Sequence, residues 1–243
     1  MKTILAYGDS LTFGADPRGG GLRHALEDRW PSALEAGLAG KARVIAEGLG
    51  GRTTVFDDFS NAADRNGARV LPTLLESHKP LDLVIIMLGT NDLKLYLNGT
   101  AFGAAMGVKR LAEIVRTHPY GEMPTPKVML VAPPLTVETA HVDLHPMFSP
   151  RADEAKLFDY YYSRIAKELA PATSMPLRSA KPRRSMACIS MPPILEPSGR
   201  ALSLSCKIYS ASRNTPWQTN TTFSLSAPVP AVTSRPFVAR SWG

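Results

Sequence analysis

The sequence predicts an α/β protein built on a doubly wound parallel sheet. Apolar strand-like runs alternate with helix-like segments along the first two thirds of the chain. Residues 81–88 (LDLVIIML) form one unbroken apolar run, as expected of a central parallel strand covered on both faces. Polar, glycine-containing segments directly follow three of the strand-like runs, where an open α/β sheet binds its ligands.

Each element has its own warrant. Residues 3–7 (TILAY) read as a short strand. Residues 31–38 (PSALEAGL) open like a helix, with proline in the first turn, where its missing N–H costs nothing. Residues 42–47 (ARVIAE) are a second strand and 71–77 a short helix, leading to the buried strand at 81–88. Residues 101–117 carry apolar Met106, Leu111, Ile114 and Val115 at helical spacing. Residues 127–132 (KVMLVA) form a fourth strand, stopped by Pro133-Pro134. A last helix is expected over 151–170, where Leu157, Tyr161, Ile165 and Leu169 stand four apart. No internal repeat is present.

Composition narrows the function classes. A chain of 243 residues, 44% hydrophobic, buries one sizeable core. No apolar run approaches the ~18 residues of a membrane span. The apolar stretch after Lys2 is too short for a signal peptide, so a cytoplasmic location is expected. Two cysteines, Cys188 and Cys206, argue against a disulfide scaffold.

The net charge of +7 hides two compositions. Residues 1–169 carry 19 basic and 20 acidic side chains; residues 170–243 carry 9 and 1. The second part also holds 10 of the 21 prolines, 13 serines, both cysteines and none of the five histidines. The expected organisation is a folded domain over 1–169 and a Ser/Pro/Arg-rich, low-complexity, disordered tail over 170–243.

Three strand ends carry the chemistry: Gly8-Asp9-Ser10-Leu11, Gly48-Leu49-Gly50-Gly51-Arg52-Thr53-Thr54 and Gly89-Thr90-Asn91-Asp92. Singly, each is explained as turn or cap chemistry. On three strand ends of one sheet they converge on one crevice, and the chemistry that needs such a set is acyl transfer. A serine at a strand-to-helix turn exposes its hydroxyl near the positive end of a helix dipole. The tetrahedral intermediate then needs preorganised donors. The Ser10 N–H, the Gly51 N–H and the Asn91 amide are the candidates, each worth ~10²–10³ in rate.

GDSLT, EGLGGRTT and LGTND, in this order, resemble the first three sequence blocks of the SGNH (GDSL-type) hydrolases. DRWPSAL, NGARVLPTLL, LDLVIIMLGTNDLK and KVMLVAPP are similar to one branch of them, the bacterial arylesterases with acyltransferase and perhydrolase activity. The resemblance covers residues 3 to about 169. It implies a flavodoxin-like sheet, an acyl-serine intermediate on Ser10, short-chain aryl or alkyl ester substrates, no metal, no cofactor, and for many members an oligomer. It makes Phe13 and Trp30 candidates for the acyl pocket, with an ordinary place in the core as the alternative. Asp9 is read as orienting the turn.

The resemblance also implies a base and an acid from a late Asp-x-x-His motif, and there this sequence departs from the family. No histidine follows His145 and no aspartate follows Asp159. His141, Asp143 and His145 have the wrong spacing; His24, His78 and His118 read as surface helix residues.

A one-base shift of reading frame accounts for the gap. Joining the last base of each codon to the first two of the next, Met186-Ala187 must yield Gly and Met191-Pro192 must yield Ala. Cys188-Ile189 must yield His or Tyr, and Ser185-Met186 admits Asp. Residues 185–192 thus admit Asp-Gly-Val-His-Leu-Asp-Ala, 193–199 admit Asn-Thr-Arg-Ala-Ile-Gly, and 173–176 admit Phe-Asp-Ala. These are similar to the family's catalytic motif, final helix and last strand. The expectation is a frameshift near Ala170, with the last strand and helix of the fold missing or garbled and the chain as written inactive or weak. The alternative is a genuine basic tail that binds nucleic acid or a partner. For the domain itself, the rivals to arylesterase are a lysophospholipase or thioesterase on the same scaffold, and a non-catalytic binding module.

Overall fold

A computed structural model describes residues 1–16, 21–136, 142 and 144–169, together with the backbone of three later strands. Strands β1 (Lys2–Gly8), β2 (Ala42–Gly48), β3 (Leu83–Met87) and β4 (Lys127–Ala132) stand where the apolar runs predict them. All pair in parallel, in the order β2-β1-β3-β4. The order reverses between β1 and β3, and that reversal opens a crevice at the carboxyl ends of these two strands.

The sheet alternates its side chains between two apolar layers. Leu5, Tyr7, Val84, Ile86, Leu88, Val128 and Leu130 face one layer. There they meet α3 (Gly67–His78), α4 (Ala101–Thr117) and α7 (Phe158–Leu169). Ile4, Ile85, Met87 and Val131 face the other, against Trp30, Leu34 and Leu38 of and beside α2 (Trp30–Gly37). The two-residue period of the strands thus produces both halves of the core.

Two helices differ from expectation. Helix α3 begins four residues before residue 71, because the Asn66 side chain caps it by accepting from the Ala68 and Arg69 N–H groups. Pro72 lies inside it. The single helix expected over 151–170 is broken. A 3-10 turn (Ser149–Arg151) and α6 (Ala152–Ala155) precede α7. Of the expected stripe, Ile165 and Leu169 are buried, together with Phe158, Tyr162 and Ala166, whereas Leu157 is 40% exposed and Tyr161 only partly buried. The two sets share one face and differ at its N-terminal end, where Phe158 and Tyr162 rather than Leu157 and Tyr161 enter the core.

Beyond β4 the sheet continues through β5 (Ala187–Ser190), parallel to β4, then antiparallel β6 (Leu204–Tyr209) and β7 (Thr219–Leu225). A tail without regular elements is the expectation; over these three stretches the chain is strand instead. Their Ile, Tyr, Thr and Phe residues favour extended backbone, and the open edge of β4 offers unpaired backbone groups. The rest of 170–243 lies outside the described residues.

Candidate active site

Each of the three loops is held by its own local chemistry. After β1, the buried Asp9 caps the one-turn helix α1 (Ser10–Phe13), its Oδ1 accepting from the Leu11 N–H at 2.9 Å. Gly14, at φ 81°, ends the turn. Ser10 is the first residue of that turn and is partly exposed. Four residues sum to little dipole, so the expected help from a helix macrodipole reduces to the free N–H groups of one turn.

After β2, the Arg52 N–H donates to the Leu49 carbonyl at 3.0 Å, closing a turn with Gly50 and Gly51 at its centre. Gly51 has φ 83°, the third-position value of a type II turn, which favours glycine. A Cβ there would also lie 2.6 Å from Arg65 Cζ. After β3, Gly89 turns the chain at φ 130° into the 3-10 turn Thr90–Leu93 that carries Asn91 and Asp92. The Tyr162 hydroxyl fills the space where a Cβ at Gly89 would stand and donates to the Leu88 carbonyl at 2.6 Å.

The loops meet at Asn91. Its Nδ2 donates to Asp9 Oδ2 at 3.3 Å and to the Arg52 carbonyl at 3.1 Å. Those partners are the immediate neighbours of Ser10 and Gly51, so one amide ties all three predicted residues into a single cluster. Both Nδ2 hydrogens are committed in this arrangement. Among the described residues, the Ser10 and Gly51 backbone N–H groups have no acceptor.

Beneath the cluster lies a layer of buried polar groups that sequence reading passed over. The fully buried Asp92 accepts twice from the Thr54 N–H, at 3.1 and 3.2 Å, and pairs with the Thr54 hydroxyl. Burial pushes the Asp92 carboxyl up to about 7, against the Thr54 hydrogen bonds and with the help of repulsion from Asp9. Burial likewise raises Asp9 to about 6, opposed by the Leu11 N–H and by Arg52. Further out, Asp58 accepts from Lys94 Nζ at 2.7 Å and Arg65 Nη1 at 3.1 Å, joining the second and third loops again. Burial alone would raise Asp58, but Lys94 and Ser60 hold it well below the usual carboxylate range. The signal available in the sequence was Asp9, Thr54 and Asp92 beside glycines at strand ends; read as turn formers, they are buried partners of one another.

The acyl-pocket candidates lie in and beside the Ser10 turn. Trp30 Nε1 donates to Thr12 Oγ1 at 3.2 Å, and the ring packs on the Ile4–Met87 layer. Phe13 lies under the Arg23 guanidinium, whose Cζ is 3.7 Å from the ring centroid.

No described histidine or aspartate bonds the Ser10 hydroxyl. His24 is exposed in a loop rather than on a helix, since the chain there runs antiparallel to Ala15 instead of coiling. His78 ends α3, with Nε2 2.9 Å from Glu47 Oε1; His118 follows α4, 3.1 Å from Glu76 Oε2. His145 lies in α5 (Leu144–Phe148), while His141 and Asp143 fall outside the described residues. The described residues hold no cluster suited to a metal ion, and none of their helices is long and apolar enough to cross a membrane.

A Ser-Gly-Asn cluster at the switch point of such a sheet is a signature to compare with known families, and the GDSL-like lipase/acylhydrolase model matches residues 6–171. The chain belongs to that family. No curated protein matches the chain. Among solved structures, a carbohydrate acetylesterase family member from Sinorhizobium meliloti is similar at 50% identity and TM-score 0.67, covering 70% of this chain and 80% of that one. A carbohydrate acetylesterase from the same organism shares 38% identity at TM-score 0.65, covering 70% and 81%. An aryl esterase from M. smegmatis shares 38% at TM-score 0.66, over 70% and 81%. This GDSL-family chain is built as a carboxylic ester hydrolase on the SGNH fold.

Proposed function

We propose that the domain over residues 1–169 is a serine esterase for short-chain aryl and alkyl esters, with Ser10 as nucleophile. The bridging of Asp9 and Arg52 by the Asn91 amide carries this reading, because it brings the neighbours of Ser10 and Gly51 to one atom. Ser10 Oγ adds to the ester carbonyl carbon while a base takes its proton. The Ser10 and Gly51 N–H groups receive the oxyanion. Asn91 gives up its longer bond to Asp9 to become the third donor. The C–O bond to the alcohol breaks, the alcohol leaves with the proton, and water, an alcohol or a peroxide cleaves the acyl-serine. We place the enzyme in the cytoplasm, on its low cysteine content.

The base and its orienting acid are encoded one frame away, beyond about residue 170. Three observations support this: the composition changes there, the family match stops at residue 171, and the solved relatives are covered over 80% of their length, not all of it. The chain as written is then inactive or weak. Chromogenic acetate hydrolysis tests the proposal on two proteins, the chain as written and the same gene read in the restored frame. Turnover is expected in the second only, and lost there with Ser10→Ala. Comparable turnover of both, abolished by Ser10→Ala in each, would place the base within residues 1–169 and refute the frameshift. Codons for residues 185–189 that do not yield Asp and His in the shifted frame would refute it directly.

A further inference from the structure

We propose that Arg52 is a positioning residue for the Ser10 reaction, clasping the ends of β1 and β2 with its side chain while its carbonyl holds the Asn91 amide. This rests on the reading of Ser10 as nucleophile. The Arg52 Nη1 donates to the Gly8 carbonyl at 2.9 Å and to the Glu47 carbonyl. Gly8 and Glu47 are the final and penultimate residues of β1 and β2. Gly8 stands two residues before Ser10. The Arg52 N–H closes the turn that presents Gly51, and the Arg52 carbonyl takes one hydrogen of Asn91 Nδ2 at 3.1 Å. One residue is therefore bonded to all three loops of the cluster.

The environment of Arg52 is that of a built-in part. The residue is 4% exposed, in a sequence position where a solvated loop cation would be unremarkable. Among the described residues it forms no ion pair at contact distance; backbone carbonyls and the face of Tyr7, 4.4 Å from Cζ to centroid, lie against the charge, and the Glu47 and Asp9 carboxylates favour it from further off. Tyr7 is itself fixed, its hydroxyl donating to the Gly67 carbonyl at 2.7 Å. A planar guanidinium can stack on that ring while its edge reaches two carbonyls of adjacent strands. Both carbonyl bonds come from the one Nη1, so what an ammonium on a flexible stem lacks here is the plane that stacks on Tyr7. Without the clasp the 49–52 turn keeps its own hydrogen bond and the Leu49 N–H bond to the Gly8 carbonyl at 3.2 Å, but its far end, at Gly51 and Arg52, loses the side-chain ties to Gly8 and Glu47 that fix it and Asn91 relative to Ser10.

The test reads the donor cluster without needing the missing base. Phenylboronic acid, titrated into the full chain, gives a tetrahedral ¹¹B signal when Ser10 Oγ forms a bond to boron and the hydroxyl proton passes to solvent. The expected result is a tetrahedral signal with the unsubstituted chain and none with Ser10→Ala. Arg52→Lys and Arg52→Met should each weaken binding at least ~10-fold per folded molecule, the folded fraction being set by circular dichroism. Affinity within about twofold of the unsubstituted chain, in either variant that folds, overturns the proposal; Arg52→Lys, which keeps the charge, carries the test if Arg52→Met fails to fold. No tetrahedral signal from the unsubstituted chain overturns the Ser10 reading and this proposal with it, a result distinct from loss of the Arg52 effect alone.

Discussion

Replacing Gly107 by alanine should destabilise the protein although it lies in the middle of a helix. In an exposed helix interior the change gains ~1 kcal/mol. Here α4 runs directly beneath the second loop, and a Cβ at residue 107 would overlap the Thr54 hydroxyl and stand 2.6 Å from Thr54 Cβ. That hydroxyl is a partner of the buried Asp92. Moving it away forfeits a hydrogen bond to a charged group, about 1.5–3 kcal/mol. Overpacking adds about 1–3 kcal/mol. Against the helix gain, the net loss is about 1.5–5 kcal/mol, or roughly 3–20 °C in Tm for a domain of this size. Denaturant and thermal unfolding of Gly107→Ala, Thr54→Ala and the double variant measure it. Because Thr54→Ala removes the overlapping oxygen but leaves the Cβ, the double variant should be less destabilised than the sum of the two by at least ~1 kcal/mol. Simple additivity, or a rise in Tm for Gly107→Ala, would refute the claim that this glycine exists to seat Thr54 against Asp92.

Stability should also fall as pH rises from about 4 to 7. Asp9 and Asp92 have folded-state values near 6 and 7, raised from the usual 3.8, so the folded state binds more protons across that window. Their contribution is full below pH ~4 and lost above pH ~7, on the order of 3 kcal/mol for Asp9 alone. Urea midpoints against pH should show this slope, and it should flatten in Asp92→Asn, whose side-chain oxygen still pairs with Thr54; an unchanged slope contradicts the assignment. Tyr162→Phe removes the hydroxyl that donates to the Leu88 carbonyl ahead of Gly89. It should cost about 1–2 kcal/mol and leave the fold intact; no measurable change in unfolding midpoint would show that the strand end does not depend on it.

Much of this was visible in the residues themselves. The unbroken run LVIIM and the alternation around it determined a parallel sheet, because a strand covered on both faces leaves no polar position. Polar groups at three strand ends of such a sheet had one crevice in which to meet, and Ser10, Gly51 and Asn91 were legible for that reason.

Other features had no local signature. The N-terminal end of the α7 face was decided by packing, since Leu157 and Phe158 both fit a helical period with Ile165 and Leu169, and Phe158 and Tyr162 are the ones taken into the core. The coupling of Asp9, Asn91 and Arg52, and of Thr54 and Asp92, joins positions about 40 or 80 residues apart. A single sequence records the residue types that turns favour. Only tertiary structure decides which of those polar side chains are taken out of water and so must find one another, because the desolvation that makes their pairing obligatory is created by the fold itself.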